Sequence, residues 1–378
     1  MDSYNQIDVA KDAPFGKCID VRFCMRRILI ESIKGNELLA KDILNESGMV
    51  IISKGTVMKQ EYISKLISLG IYDIYVEDKY SEGVHIEDNL EDIIKENYQD
   101  IMKAVMDRHT LYSQGDLHHI CDVAEEMIGE VLHMPHVLFS ISGIRRKSEA
   151  LYSHSISVCY LSVLIALRMK LSKDKVKEIA IGSLLHDIGY KHLSFDYVSS
   201  ESNGVILEET KEAMKHVING YLSLEEETWI NSASREIILC HHECIDGSGF
   251  PFRKTDKKLK IGSKIVAVCD MFDRSVYGLL AEKLKVHTAI DYIMSNAGIK
   301  YDMDVVHIFL ECVAAYPNGS GVLTNEGEVG IVLKQNIKFP TRPVIRIIKD
   351  KSGNEVEEWV EKDMKKELTL FIVDVVDL

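Results

Sequence analysis

The chain has 378 residues, 46% of them hydrophobic and 28% charged, with a formal net charge of −14. That length accommodates two or three domains and a sizeable core, and few prolines and aromatics favour helix over most of it. The acidic balance argues against a nucleic-acid polymer as partner, because such binding rests on Lys and Arg neutralising phosphates; a small anion reached through bound metal stays within bounds.

The opening stretch, MDSYNQIDVA, has neither a basic start nor an apolar run, so no signal peptide is expected. No run of about 18 apolar residues marks a membrane span, and no membrane partner is expected. The cysteines (Cys18, Cys24, Cys121, Cys159, Cys240, Cys244, Cys269 and Cys312) form no CxxC pair. They read as reduced thiols of a cytoplasmic protein, with Cys240 and Cys244, which flank a histidine pair, as minor candidates for thiolate ligation.

Residues 30 to 80 predict a small mixed module. Val50 to Ile52 suggest a strand, Lys54-Gly55 a turn, Gln60 to Ser68 a helix stopped by Gly70, and Ile71 to Val76 a second strand. The polar stretch from Asp78 to Asp88 reads as a linker. From about 89 to 315 the pattern is helical. Beyond 316, clustered glycines and the runs Val329 to Leu333, Val344 to Ile348 and Leu368 to Val375 predict strands. The expected class is mainly α: a helical bundle over 86–315, flanked by a small α/β module over 1–85 and a small β-rich module over 316–378.

Four helices in the bundle aim a His or Asp inward. Val176, Ile179, Ala180 and Leu184 mark one stripe, which continues onto Asp187. Ala213, His216, Val217 and Gly220 share a second face, Ile230, Ala233, Ile237 and His241 a third, and Val266, Asp270 and Asp273 a fourth. A buried carboxylate is unfavourable unless paired or bound to metal, so the convergence points to a shared cation site. His186 and Asp187 end a helix and can reach one centre, with Gly189 letting the chain turn away. His154, His186, His216, His241, His242 and Asp270, with Asp187 between them, are ligands enough for two ions. Mixed imidazole and carboxylate ligands suit iron, manganese or zinc.

Leu184-Leu185-His186-Asp187-Ile188-Gly189 resembles the HD signature, and His241-His242-Glu243-Cys244-Ile245-Asp246-Gly247-Ser248-Gly249-Phe250-Pro251 resembles the HHExxDGxGYP signature. His154-Ser155, Lys215-His216 with Gly220, and Ala267 to Asp273 fit further family segments. Over roughly residues 140 to 315 the chain is similar to the HD-GYP family, bacterial phosphodiesterases that degrade cyclic di-GMP. The resemblance implies an HD-type bundle with metal held by His154, His186, Asp187, His216, His241, His242 and Asp270. Asp187 would bridge two ions, iron foremost and manganese or zinc otherwise. It implies hydrolysis of cyclic di-GMP to linear pGpG and perhaps GMP, and is compatible with a homodimer or a diguanylate-cyclase-domain partner.

Several positions depart from the family. The lysine after HDIG is Tyr190 here, followed by Lys191, and these join Asp187 as the expected catalytic residues. The GYP tyrosine is Phe250. The loop residues Asp246, Gly247, Gly249, Phe250 and Pro251 are the expected substrate contacts, with Asp246 suited to bonding the loop backbone. The arginines usual after the second Asp are missing around Gly278 to Lys283, leaving Arg253, Lys283 or Lys285 as substitutes for phosphate contact. Ala150 stands where members with a third metal carry Glu, so two ions are expected. The competing reading is a catalytically weak or inactive domain that binds a cyclic dinucleotide or a protein and signals.

Overall fold

The computed structural model describes residues 25–44, 50–68, 71, 73–84, 98, 101–107, 117–133, 139, 150–193, 211–277, 284–336 and 339–378. The first module pairs β1 (Arg26–Leu29) and β2 (Leu38–Leu39) antiparallel on either side of β5 (Asp73–Glu77). A separate ladder joins β3 (Ile43–Leu44) to β4 (Val50–Ile52). Helix α1 (Ile63–Ser68) follows a 3-10 turn at Gln60–Tyr62. Ile28, Ile30, Leu39, Met58, Leu66 and Val76 form its core. Gly55 has φ +81° at the expected turn, whereas Gly70 lies outside the described residues.

The bundle contains a helical stretch over 101–107 (α2), α3 (His119–His133), α4 (Ala150–Arg168) and α5 (Lys173–Leu185). After them come α6 (His216–Ser223), α7 (Ser232–Cys240), α8 (Ile261–Tyr277), α9 (Val286–Ser295) and α10 (Met303–Cys312). Helix α5 is buried from Ile179 through Leu185, so it is the central rod rather than an amphipathic surface helix. Leu151–Arg168 of α4 is long and apolar enough to cross a membrane, but 83% of it is buried inside the fold. Ile230 precedes α7, whose first turn is capped by Asn231 accepting from the Ala233 and Ser234 amides.

The third module is a five-stranded antiparallel sheet in the order β10-β6-β7-β8-β9, built from β6 (Gly321–Thr324), β7 (Val329–Lys334), β8 (Val344–Lys349), β9 (Glu355–Asp363) and β10 (Ile372–Val375). The expected strand over 368–375 is thus only its second half. β9 is one of its two edge strands, and its charged residues carry no alternation that sequence reasoning could use.

The expected linker needs correction over its described part, 78–84; residues 85–88 lie outside. Asp78 caps a short turn by accepting from the Tyr80 and Ser81 amides, and Val84 is buried against Ile331, Leu333 and Ile348 of the sheet. Lys79 and Tyr80 both bond Glu355, at 2.6 and 2.5 Å, and Arg346 donates to the Glu82 carbonyl. Ser81 and Val84 are buried while Lys79 and Glu82 face outward, so the segment is docked despite its composition.

Candidate metal centre

Helix α5 delivers His186 at its C-cap and Asp187 one residue on, where a short 3-10 turn (Ile188–His192) begins. That turn lies backbone to backbone against α6: a Cβ on Gly189 would fall 2.6 Å from the Gly220 amide nitrogen and overlap the His216 carbonyl. Gly189 therefore serves a close approach of two backbones, which brings His216 beside Asp187, rather than the change of direction expected. α7 is followed directly by His241, its C-cap, and His242; α4 contributes His154, and α8 contributes Asp270. His154, His186, Asp187, His216, His241 and Asp270 are each at most 2% exposed.

These side chains fall into two groups that share Asp187: His154, His186, Asp187 and Asp270, and Asp187, His216, His241 and His242, each with ligand atoms within 4.8 Å of one another. In the first, His154 Nε2 lies 3.1 Å from His186 Nε2 and 3.0 Å from Asp270 Oδ1. Asp187 Oδ2 lies 3.4 Å from both imidazoles. In the second, Asp187 Oδ1 lies 3.3 Å from His216 and 3.4 Å from His241, whose Nε2 atoms are 3.3 Å apart. Most of these separations exceed a good hydrogen bond. They match the roughly 3.0 to 3.4 Å edges that ligands about 2.1 Å from one ion subtend.

The protons are arranged accordingly. Nδ1 of His186, His216 and His241 donates to the carbonyls of Ser183, Ala213 and Ile238, at 2.7, 2.6 and 3.0 Å. In the neutral ring each bond uses the only N–H, so it leaves the Nε2 lone pair for the cluster. Nδ1 of His154 instead meets Asp273 Oδ2 at 2.5 Å. Burial opposes charge on His154, but Asp187, Asp270 and Asp273 outweigh it and hold its pKa up at about 10; the same opposition holds His186 at about 9. Burial likewise works against ionised Asp187 and Asp270, yet surrounding imidazoles, and Arg274 at Asp270, keep both carboxyls well below the usual range. Burial lowers His241 and His242. Without a metal, protons on His154 and His186 offset the buried carboxylates; a bound cation takes their place, and the residues fit transition-metal ions.

The expected catalytic pair lies differently from a phosphate grip. Tyr190 is 5% exposed and its ring stacks on His216 at 4.0 Å and 11°. Lys191 is engaged by Asp107 at 2.7 Å and lies over the Tyr152 ring. In the loop after His242, Gly247 has φ +81° and Asp246 bonds the Ser248 amide and hydroxyl at 2.8 and 2.7 Å. A Cβ on Gly249 would lie 2.4 Å from the Cys244 amide nitrogen, so the loop folds directly back on the histidine pair. Phe250, followed by Pro251, stacks on His242 at 4.7 Å and 23°. Arg253 is exposed with φ +54°, Lys285 bonds Asp374 at 2.5 Å, and Lys283 lies outside the described residues. Neither Cys240 nor Cys244 joins a cluster among the described residues.

Two contributors, Glu243 and Arg274, were given no role from sequence, and Asp273 was placed only on an inward face. Glu243 is buried and accepts from the Phe252 and Lys254 amides at 2.8 and 2.9 Å, clamping the loop. Asp273 orients His154. Arg274 Nη1 reaches His242 Nε2 at 3.0 Å and Asp270 Oδ2 at 3.5 Å. The signal for Arg274 was its place four residues after Asp270, one helical turn on.

Buried histidines on four helices around a shared aspartate define a metal-binding helical domain, and residues 141–305 match the family described as HD domain. Both the His186-Asp187 and the His241-to-Pro251 motifs lie within that match. Residues 321–378 match a KOW domain associated with HD domain. A cyclic di-GMP phosphodiesterase of Pseudomonas aeruginosa is 28% identical over 232 residues, covering 61% of this chain and 56% of that protein. A cyclic di-GMP phosphodiesterase of Thermotoga maritima is 33% identical over 190 residues, half of each chain. The chain thus spans about half the length of these curated relatives. Among solved structures, an HDG"Y"P protein from Bdellovibrio bacteriovorus covers 75% of this chain and 98% of its own at a TM-score of 0.47 and 15% identity.

Proposed function

We propose that the chain is a cytoplasmic metal-dependent phosphodiesterase that hydrolyses cyclic di-GMP to linear pGpG, GMP or both. The observation that carries this reading is Asp187, whose two carboxylate oxygens each face a different pair of imidazoles. We assign one ion to each side, iron foremost and manganese or zinc otherwise. Bound ions supply an activated water and positive charge for the phosphoryl oxygens. The protein's own part is to fix the ligand lone pairs through Ser183, Ala213, Ile238 and Asp273, and to close one side with the Gly247–Pro251 loop. The names of the Pseudomonas and Thermotoga relatives support the choice of substrate.

A second reading, a weakly active domain that binds the dinucleotide and signals, is favoured by Tyr190 and Lys191. One is packed on a ligand imidazole and the other is tied to Asp107, so neither presents an ammonium to a phosphate. Both readings are tested by purifying the protein anaerobically with iron, measuring metal content and chromatographing a cyclic di-GMP digest. Turnover to pGpG or GMP supports the enzyme. Metal-dependent binding without turnover supports the signalling module, and neither binding nor cleavage sinks the substrate.

A further inference from the structure

A cavity of about 260 Å³ lies where three parts of the chain meet, and it shares no residue with the metal centre. The first module lines it with Arg26, Ile28, Lys34 and Asn36, the docked segment with Asp78 and Tyr80, and the sheet module with Asp377. Its volume is below the roughly 300–1,000 Å³ of sites for drug-sized ligands, so its occupant must be small.

The carboxylates of this cavity are largely spent inside the protein. Asp78 Oδ2 accepts from Arg26 Nε and Nη2 at 2.8 and 2.7 Å, and its Oδ1 accepts from the Tyr80 and Ser81 amides. Glu37, buried in the wall, accepts from the Lys34, Gly35 and Asn36 amides at 2.7, 2.9 and 3.1 Å. Asp377 accepts from the Ser32 hydroxyl at 2.7 Å. The cations are not spent to the same degree. Lys79 is taken by Glu355 at 2.6 Å, but the Lys34 ammonium has no ion pair among the described residues. Arg26 is 5% exposed and sits 5.6 Å from the Tyr80 ring centroid. A guanidinium has five N–H donors, and among the described residues Arg26 Nη1 makes no bond. A buried guanidinium with donors to spare suits an acceptor with two oxygens.

We propose that this cavity binds a small anion through carboxylate or phosphate oxygens, with Arg26 and Lys34 as its cationic partners and Ile28 and the Tyr80 ring as its apolar wall. Because the walls come from the first module, the docked segment and the sheet module, the occupant binds only their docked form and strengthens docking. The flanking modules thereby carry a ligand site of their own, separate from the metal centre.

The test is chymotrypsin cleavage after Tyr80 in the full chain, read by mass spectrometry. Tyr80 is tied to Glu355 in the docked segment, so the cut reports undocking. Inorganic phosphate and malonate are titrated separately, with chloride holding ionic strength constant, and a free peptide spanning Tyr80 controls for effects on the protease. The expected result is a saturable slowing that reaches roughly tenfold at about ten times the half-saturating anion concentration, because cleavage tracks the undocked population. A response to phosphate alone assigns a phosphate ligand, and one to malonate alone a carboxylate. Lys34 is exposed, so Lys34→Met should keep the fold by circular dichroism and lose the slowing. The chelator-stripped chain should keep it. The proposal is overturned if neither anion slows the cut saturably or if Lys34→Met responds like wild type. Protection that vanishes on stripping the metal overturns it as well, since the anion then acts from the metal centre.

Discussion

Gly189 and His216 meet at a point where no side chain fits: a Cβ on the glycine would overlap the histidine's carbonyl oxygen. Because backbone is displaced rather than a flexible side-chain tip, Gly189→Ala must move α6 away from the turn that carries Asp187. Overpacking of this kind destabilises by roughly 1–3 kcal/mol. The variant should melt earlier and lose about one metal ion, with the first cluster retained. Unchanged metal content alongside a normal melt would show that α6 is free to shift without dragging His216.

Asp187 is the shared member of both groups. Asp187→Ala should strip at least one ion, because two cations lose their common anion. Metal analysis after gel filtration is the measurement, and retention of full content would rule out the bridge.

Asp273 meets His154 Nδ1 at 2.5 Å. Asp273→Asn keeps the shape and removes the charge that fixes the imidazole's tautomer. Metal affinity should fall roughly 10- to 100-fold, as for other partners that orient a ligand. The loss should fall on the first ion, with the second affected less; an equal loss at both would mean a global defect instead.

Acid and base act on the metal-free centre with opposite signs. His154 and His186 have folded pKa values of about 10 and 9 against an ordinary 6.5. Their contribution to stability is full below about pH 6.5 and is lost as pH rises through 9 and 10. Asp187 and Asp270 are held below their ordinary 3.8, so their contribution is present above that value and lost in acid. Chelator-treated protein should therefore melt lower at about pH 10 than at about pH 7, and the metal-loaded protein should lose less. Equal melting of the stripped protein at both values would contradict these protonation states.

Lys191 is half-buried and paired with Asp107. Partly exposed pairs are worth about 0–1 kcal/mol, so Lys191→Ala should lower stability by no more than that and leave metal content intact. A tenfold loss of cyclic di-GMP turnover would return Lys191 to the catalytic residues.

The residues that meet in the two clusters were legible because they are local. His186-Asp187 and His241-His242 are adjacent pairs, and the inward stripes follow helical period. What a residue does for another across space was not legible. Glu243 sits inside a recognised motif, yet its task is to hold the Phe252 and Lys254 amides, which no spacing announces. Tyr190 occupies a position where a cation was expected, and only three-dimensional packing reveals that its ring lies on His216. The bundle and the two flanking modules followed from periodicity, but β9 did not, because an edge strand need bury neither face.

Val84 is buried only when Ile331, Leu333 and Ile348 are in place, and Ser32 bonds Asp377 across 345 positions of sequence at 2.7 Å. Contacts so distant along the chain are slow to form. At roughly 5–20 residues per second, a ribosome takes tens of seconds to follow Val84 with the strands that cover it. During synthesis the first module therefore waits with its anchor uncovered while the metal-binding helices emerge, and its docking is among the last steps of assembly.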